Sequence, residues 1–176
     1  PTVIYHTADD IAGWTELAAR SLTATGMGRR DVFQNMIGYG LFTGGLGIHY
    51  GAEKIGAAVI PSSTGNTRRQ IRLMHDFQTT AVHATPSYML HVRARLEQDG
   101  PSLVELNLHR AVLGAEAYSA RTRDKIEQLY GIDVYNSYGL SEMNGPGVAF
   151  ECLCKNGMHL WEDHYLAEVV DPKSGR

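Results

Sequence analysis

Apolar positions along this chain switch repeatedly between a helical and a strand-like spacing. Ile11, Trp14, Leu17, Ala18 and Leu22 recur at helical intervals. Thr7 stands ahead of them as a cap, and Asp9 and Asp10 fill the first turn, where the helix dipole favours negative charge. The pattern predicts a helix reaching about Ala24 and closed by Gly26. Residues 31–37 then predict a strand, 56–60 a buried strand, 71–77 a helix and 79–84 a further strand. Thr85-Pro86-Ser87 opens a helix through Tyr88, Leu90, Val92 and Leu96, with proline at its first position. Residues 110–113 read as a strand, Ser119 as the cap of a helix that ends at Tyr130 before Gly131, and 132–135 as the next strand. Such alternation calls for a mostly parallel sheet flanked by helices.

After Pro146 the texture changes. Residues 148–152, 158–161 and 165–170 read as short strands, with Asn156-Gly157 as a turn. The expected fold class is therefore α/β: a mostly parallel sheet over about 1–147, with a short antiparallel β portion over 148–176 packed beside it.

Composition narrows the function classes. A length of 176 residues suits one domain or part of one, and 43% apolar content excludes disorder. A net charge of −3 gives no footprint for nucleic acid. No apolar run is long enough to span a bilayer, and no signal peptide is expected, so no membrane partner is expected either. Cys152 and Cys154 lie too close together to staple a long loop, which suggests a reduced, cytoplasmic setting. The abrupt ends, at Pro1-Thr2-Val3 and after Asp171-Pro172, suit a piece excised from a longer chain.

The chemistry concentrates in Tyr135-Asn136-Ser137-Tyr138-Gly139-Leu140-Ser141-Glu142. A strand is expected to deliver these residues to a loop at its carboxyl end, where open α/β sheets bind ligands. An aromatic ring suits a base, a glycine allows close backbone approach, a hydroxyl suits a phosphate oxygen, and a carboxylate suits a hard cation. Glycines at 38, 40, 44, 45, 47 and 51 weaken an isolated helix and point to close packing, most simply of helix on sheet. Residues 61–67 look like a phosphate loop but lack its lysine and spacing, so they read as a loop with a helix cap. Arg68, Arg69 and Arg72 read as a solvated helix face, and His83 as a satisfied, half-buried histidine. From the residues alone, Cys152, Cys154 and His159 are two small buried thiols and a surface histidine around a turn.

Residues 136–142 resemble the Y-G-x-S/T-E motif of adenylate-forming enzymes, which include acyl-CoA synthetases. Gly114-Ala115-Glu116 resembles their adenine-site segment. Phe33-Gln34-Asn35, the run Tyr39-Gly40-Leu41-Phe42-Thr43-Gly44-Gly45-Leu46-Gly47, and Trp161-Glu162-Asp163-His164 are similar to phenylacetate-CoA ligases in particular. The resemblance runs the length of the chain and implies part of the large N-terminal domain. It implies activation of a carboxylic acid, phenylacetate or similar, by ATP, release of pyrophosphate, and transfer of the acyl group to coenzyme A. Ile37 stands where many of these ligases carry an aromatic residue, which puts phenylacetate itself in question.

The resemblance assigns roles residue by residue. Gly114, Ala115, Glu116, Asn136, Ser137, Tyr138 and Gly139 hold the nucleotide; Ser141 contacts the α-phosphate; Glu142 binds Mg²⁺; and Phe42, Gly114, Ala115 and Pro146 face the acid. Cys152 and His159 would supply half of a structural zinc site completed by a C-x-C-G pair further along the family's chain. The family's phosphate loop lies upstream, and its ribose-binding Asp and catalytic Lys downstream, so the piece alone is expected to be inactive. The resemblance also admits a homodimer. Two alternatives stay open: a non-catalytic nucleotide-binding or scaffold module, and an adenylating enzyme that passes the acyl group to an amine.

Overall fold

The computed structural model describes residues 3–40 and 42–175. Leu41, within the glycine-rich stretch, lies outside them, as do Pro1, Thr2 and Arg176. Among the described residues, five α-helices and seven strands follow in the order α1 (Ala8–Ala24), β1 (Val32–Asn35), α2 (Thr43–Lys54), β2 (Ala58–Ile60), α3 (Thr67–Asp76), β3 (Ala81–Ala84), α4 (Pro86–Asp99), β4 (Arg110–Leu113), α5 (Ala120–Tyr130), β5 (Asp133–Leu140), β6 (Gly145–Glu151) and β7 (Met158–Leu160). The strands form one sheet in the order β2-β1-β3-β4-β5-β6-β7. β1 to β5 pair in parallel, and β6 and β7 continue the same sheet antiparallel.

Local chemistry accounts for the helix ends. Thr7 accepts from the Asp10 amide while the Asp10 carboxylate returns to Thr7, a reciprocal capping box. Thr85 caps α4 ahead of Pro86, and Gly131 closes α5 with φ +68°. Successive strand residues face opposite sides of the sheet, so the buried strands read as continuous apolar runs. Met36, Val82, Ala111 and Leu113 join a core with Met74, Met89 and Ile126 of the helices on one face. Phe33, Ala81, Val112 and Phe150 join Ala18, Leu22, Ile48 and Ala52 on the other.

Several expectations need correction. The later glycines of this stretch fall in α2, and Gly47 and Gly51 there pack closely against α1 rather than the sheet. A Cβ at Gly51 would stand 2.6 Å from that of Ala18, and one at Gly47 would overlap the Trp14 indole. The strand at 56–60 is only β2, a partly exposed edge strand. Alanine and glycine let it read as buried, but among the described residues no strand pairs with its outer side. The helix expected at 71–77 begins at Thr67, because the Asn66 side chain accepts from the Arg69 amide and starts it early. No strand forms over 165–170; Tyr165 instead donates to the Met143 carbonyl at 3.1 Å. The stretch 136–140 is no loop but the distal half of β5, irregular at Tyr138/Gly139 and paired with β6. No described helix is long and apolar enough to cross a membrane.

Candidate active site

Two cavities adjoin where β4 and β5 end. The first, of about 330 Å³, is bounded by Ile37, Phe42, His83, Leu140, Ser141, Glu142 and Pro146. The second, of about 430 Å³, lies between Glu116, Ala117, Tyr118, Asn136, Tyr138 and Met158. Ala115, Ser137 and Gly139 line both.

The backbone at this junction is unusually tight. A Cβ at Gly114 would overlap Ser137, and one at Gly139 would overlap the Gly145 carbonyl, so only glycine lets these segments meet. Ala115 is held at φ +62°, a left-handed conformation that costs a residue with a Cβ about 1 kcal/mol or more. Ser137 donates from Oγ to the Leu113 carbonyl at 3.3 Å, tying β5 to β4. Strain and close approach both concentrate where the cavities join.

Polar side chains fix the walls. Glu116 lines the second cavity, but its carboxylate also accepts from the Ser87 amide at 3.1 Å and the Ser87 hydroxyl at 2.7 Å. The Ser87 hydroxyl is the main reason its carboxyl titrates below the ordinary range. Thus Glu116 anchors the start of α4, where the helix dipole favours a carboxylate. Tyr138 presents a half-exposed ring, 49% accessible, to the second cavity, and Phe42 is similarly exposed at the first. Ser141 and Glu142 sit in the 3₁₀ turn Ser141–Met143 that follows β5.

Three supporting residues escaped assignment from sequence. Glu151 is buried; it accepts from Arg123 Nη2 at 2.6 Å and from the Asn136 amide at 2.7 Å, so β6 and α5 together position the start of the site strand. A lone carboxylate after Val148-Ala149-Phe150 was the available signal. Trp14 donates from Nε1 to the Pro146 carbonyl at 2.9 Å and so fixes the wall of the first cavity from α1. Asn35 donates from Nδ2 to Tyr39 and to the Gly45 carbonyl, both at 2.8 Å, and accepts at Oδ1 from the Ile37 amide. His83, expected to be half-buried, is buried beside it, 3.1 Å from Nδ1 to Asn35 Oδ1. Burial pushes its pKa down to about 4, so it is neutral near pH 7.

The helix face carrying Arg68 and Arg72 lines a separate hollow with His75 and Pro101, which none of the candidate site residues touches. Arg72 is paired there with Asp76 at 3.2 Å. The hairpin of β6 and β7 sets Cys152, just after β6, beside His159 of β7. The His159 ring, with help from Cys154, draws the thiol down to about 7. Among the described residues, no three His, Cys, Asp or Glu side chains converge closely enough to hold a metal ion.

Solved CoA ligases share this fold. A 2-hydroxyisobutyryl-CoA ligase solved with 2-HIB-AMP and CoA in its thioesterification state superposes with a TM-score of 0.93, at 24% identity, over 100% of this chain and 38% of that one. A benzoate CoA ligase from Burkholderia xenovorans LB400 gives a TM-score of 0.69 at 16% identity over 84% of this chain and 29% of its own. By sequence the chain is homologous, over its whole length, to phenylacetate-coenzyme A ligases. It is 46% identical to that of Pseudomonas putida over 99% of this chain, and equally to that of Escherichia coli K12. The chain spans about 40% of the length of these curated relatives. No family model matches it.

Proposed function

We propose that the protein containing this chain activates a carboxylic acid with ATP, forming an acyl-adenylate and pyrophosphate, and passes the acyl group to the thiol of coenzyme A. The observation that carries this reading is the pair of cavities that meet at Ala115, Ser137 and Gly139. A nucleotide in the second and an acid in the first would bring the α-phosphate and carboxylate together at that junction. Proximity of this kind accounts for much of the rate of such reactions, since no protein nucleophile is required.

The residues divide the work. Tyr138 stacks on the adenine, bounded by Gly114, Ala115, Glu116, Asn136, Ser137 and Gly139. Ser141 donates its hydroxyl to the α-phosphate. Phe42, Ala115 and Pro146 enclose the acid's organic group with Ile37, whose short side chain leaves room for an acid as large as phenylacetate or larger. Glu142, exposed beside Ser141, offers the hard carboxylate oxygen that Mg²⁺ takes together with phosphate oxygens and water. When bound, the cation would neutralise charge gathering on the phosphates. Cys152 and His159 have the sulfur and nitrogen chemistry of a zinc site, but they fall short of its four ligands. A structural zinc would therefore need donors from outside the described residues.

The deciding experiment is acid-dependent exchange of labelled pyrophosphate into ATP by the intact protein. Exchange that requires an arylacetic or similar acid supports the reading, and thioester formation only with CoA identifies the acceptor. Nucleotide binding without exchange for any acid would leave a binding module in its place.

A further inference from the structure

His83 lines the floor of the first cavity while only 4% of its surface is accessible. Its protonation pattern is fixed by its neighbours. Asn35 Nδ2 donates to the Gly45 carbonyl and to Tyr39, which orients the amide so that Oδ1 faces His83. The Ile37 amide donates to that same Oδ1 at 3.3 Å, consistent with an oxygen there. A carbonyl oxygen only accepts, so the 3.1 Å contact requires the proton on His83 Nδ1. Beyond Asn35, Tyr39 contacts His49 Nδ1 at 3.0 Å, and His49 Nε2 meets Glu53 at 3.2 Å. The amide orientation is thus held through a chain of groups that runs from the cavity floor to the surface of α2.

With Nδ1 protonated and the ring neutral, Nε2 carries a bare lone pair. Among the described residues it has no hydrogen-bond partner. Ile37, Phe42, Leu140 and Pro146 give the cavity its apolar wall, while Ser137, Ser141 and Glu142 serve the nucleotide in the reading above. An unmatched acceptor in such a pocket selects for a ligand that brings a donor and against one that brings a second acceptor.

Resting on the adenylation reading above, we propose that His83 is a specificity-determining residue whose Nε2 accepts a hydrogen bond from a hydroxyl or amino group on the acid being activated. The preferred substrate is then a donor-bearing arylacetic acid rather than the bare hydrocarbon acid. Binding a donor-free ring strips water from Nε2 without replacement, a loss of roughly ten- to a hundredfold in affinity. A fluorine in the hydroxyl's place brings electron density against the lone pair and fares no better.

The test compares isosteric acids on the intact protein. Pyrophosphate exchange is measured with hydroxyphenylacetates and the matching fluorophenylacetates, substituted at each ring position and at the α-carbon. At one position or more, the hydroxy acid should exceed its fluoro partner in kcat/KM by about tenfold or more. His83→Phe, of similar volume but with no acceptor, should bring that ratio to about one, while His83→Gln, which keeps an acceptor, should retain part of it. Nitrogen NMR of the wild-type imidazole provides a second readout, with Nδ1 protonated and an Nε2 signal that shifts when the preferred acid binds. Hydroxy-to-fluoro ratios within about twofold at every position in the wild type would overturn the His83 assignment and leave adenylation standing. A proton found on Nε2 would also overturn it. Failure of every acid to support exchange would sink the adenylation reading and this inference with it.

Discussion

Replacing Gly47 with alanine tests how the helix pair supports the site. Gly47 lies on α2 against the buried Trp14 of α1, and an added methyl would occupy the space of the indole. Trp14 also stacks on His6 at 5.5 Å and holds the Pro146 carbonyl through Nε1. Forcing extra volume into a packed core costs about 1–3 kcal/mol. Losing the indole's hydrogen bond adds about 1 kcal/mol. Against these stands up to about 1 kcal/mol from alanine's higher helix propensity. The balance is a destabilisation of about 1–4 kcal/mol, accompanied by a weaker acid site because the Pro146 wall moves. Urea unfolding of intact wild-type and Gly47→Ala protein measures the first effect, and the KM for acid in pyrophosphate exchange measures the second. An unchanged unfolding midpoint would refute the packing argument. A lower midpoint with an unchanged KM would refute the link between Trp14 and the cavity.

Four further outcomes are expected. Glu142→Gln should lower exchange about 100-fold with the fold retained; wild-type rates would remove Glu142 from the site. Glu151→Leu strands the part-buried Arg123 cation and the Asn136 amide, so a loss of about 3 kcal/mol is expected in denaturant unfolding, and a loss near zero would contradict the bridging role. Because folding lowers the His83 pKa from 6.5 to about 4, the unfolded chain binds the extra proton between those values. Its contribution is complete above about pH 6.5 and is lost as pH falls toward 4, a change of about 3 kcal/mol that pH-dependent unfolding should show and His83→Phe should lack. Metal analysis of the intact protein should find zinc that Cys152→Ser loses; equal content in both would leave Cys152 and His159 a neighbouring thiol and imidazole.

Patterns confined to neighbouring residues are legible in the sequence by itself. The caps at Thr7, Thr85 and Ser119, the stop at Gly131 and the bounds of β4 each depend on chemistry within a few residues. The motifs at 114–116 and 136–142 likewise name residues that do line one pair of cavities, save Gly114, which shapes the junction from behind. Features that depend on partners distant in sequence are not legible there. Whether residues 136–140 are loop or strand depends on β6, since a backbone segment becomes a strand only when something pairs with it. The glycines of α2 could equally have faced a sheet, a ligand or a helix; only the arrival of Trp14 and Ala18 decides among them. Glu151 reads in sequence as a polar residue ending a strand, and it becomes a support for the site only because α5 brings Arg123 to it from 28 residues away. His83 carries the same lesson: its residue type admits two tautomers and a cation, and the fold selects one by placing the Asn35 carbonyl oxygen, 48 positions earlier, against Nδ1.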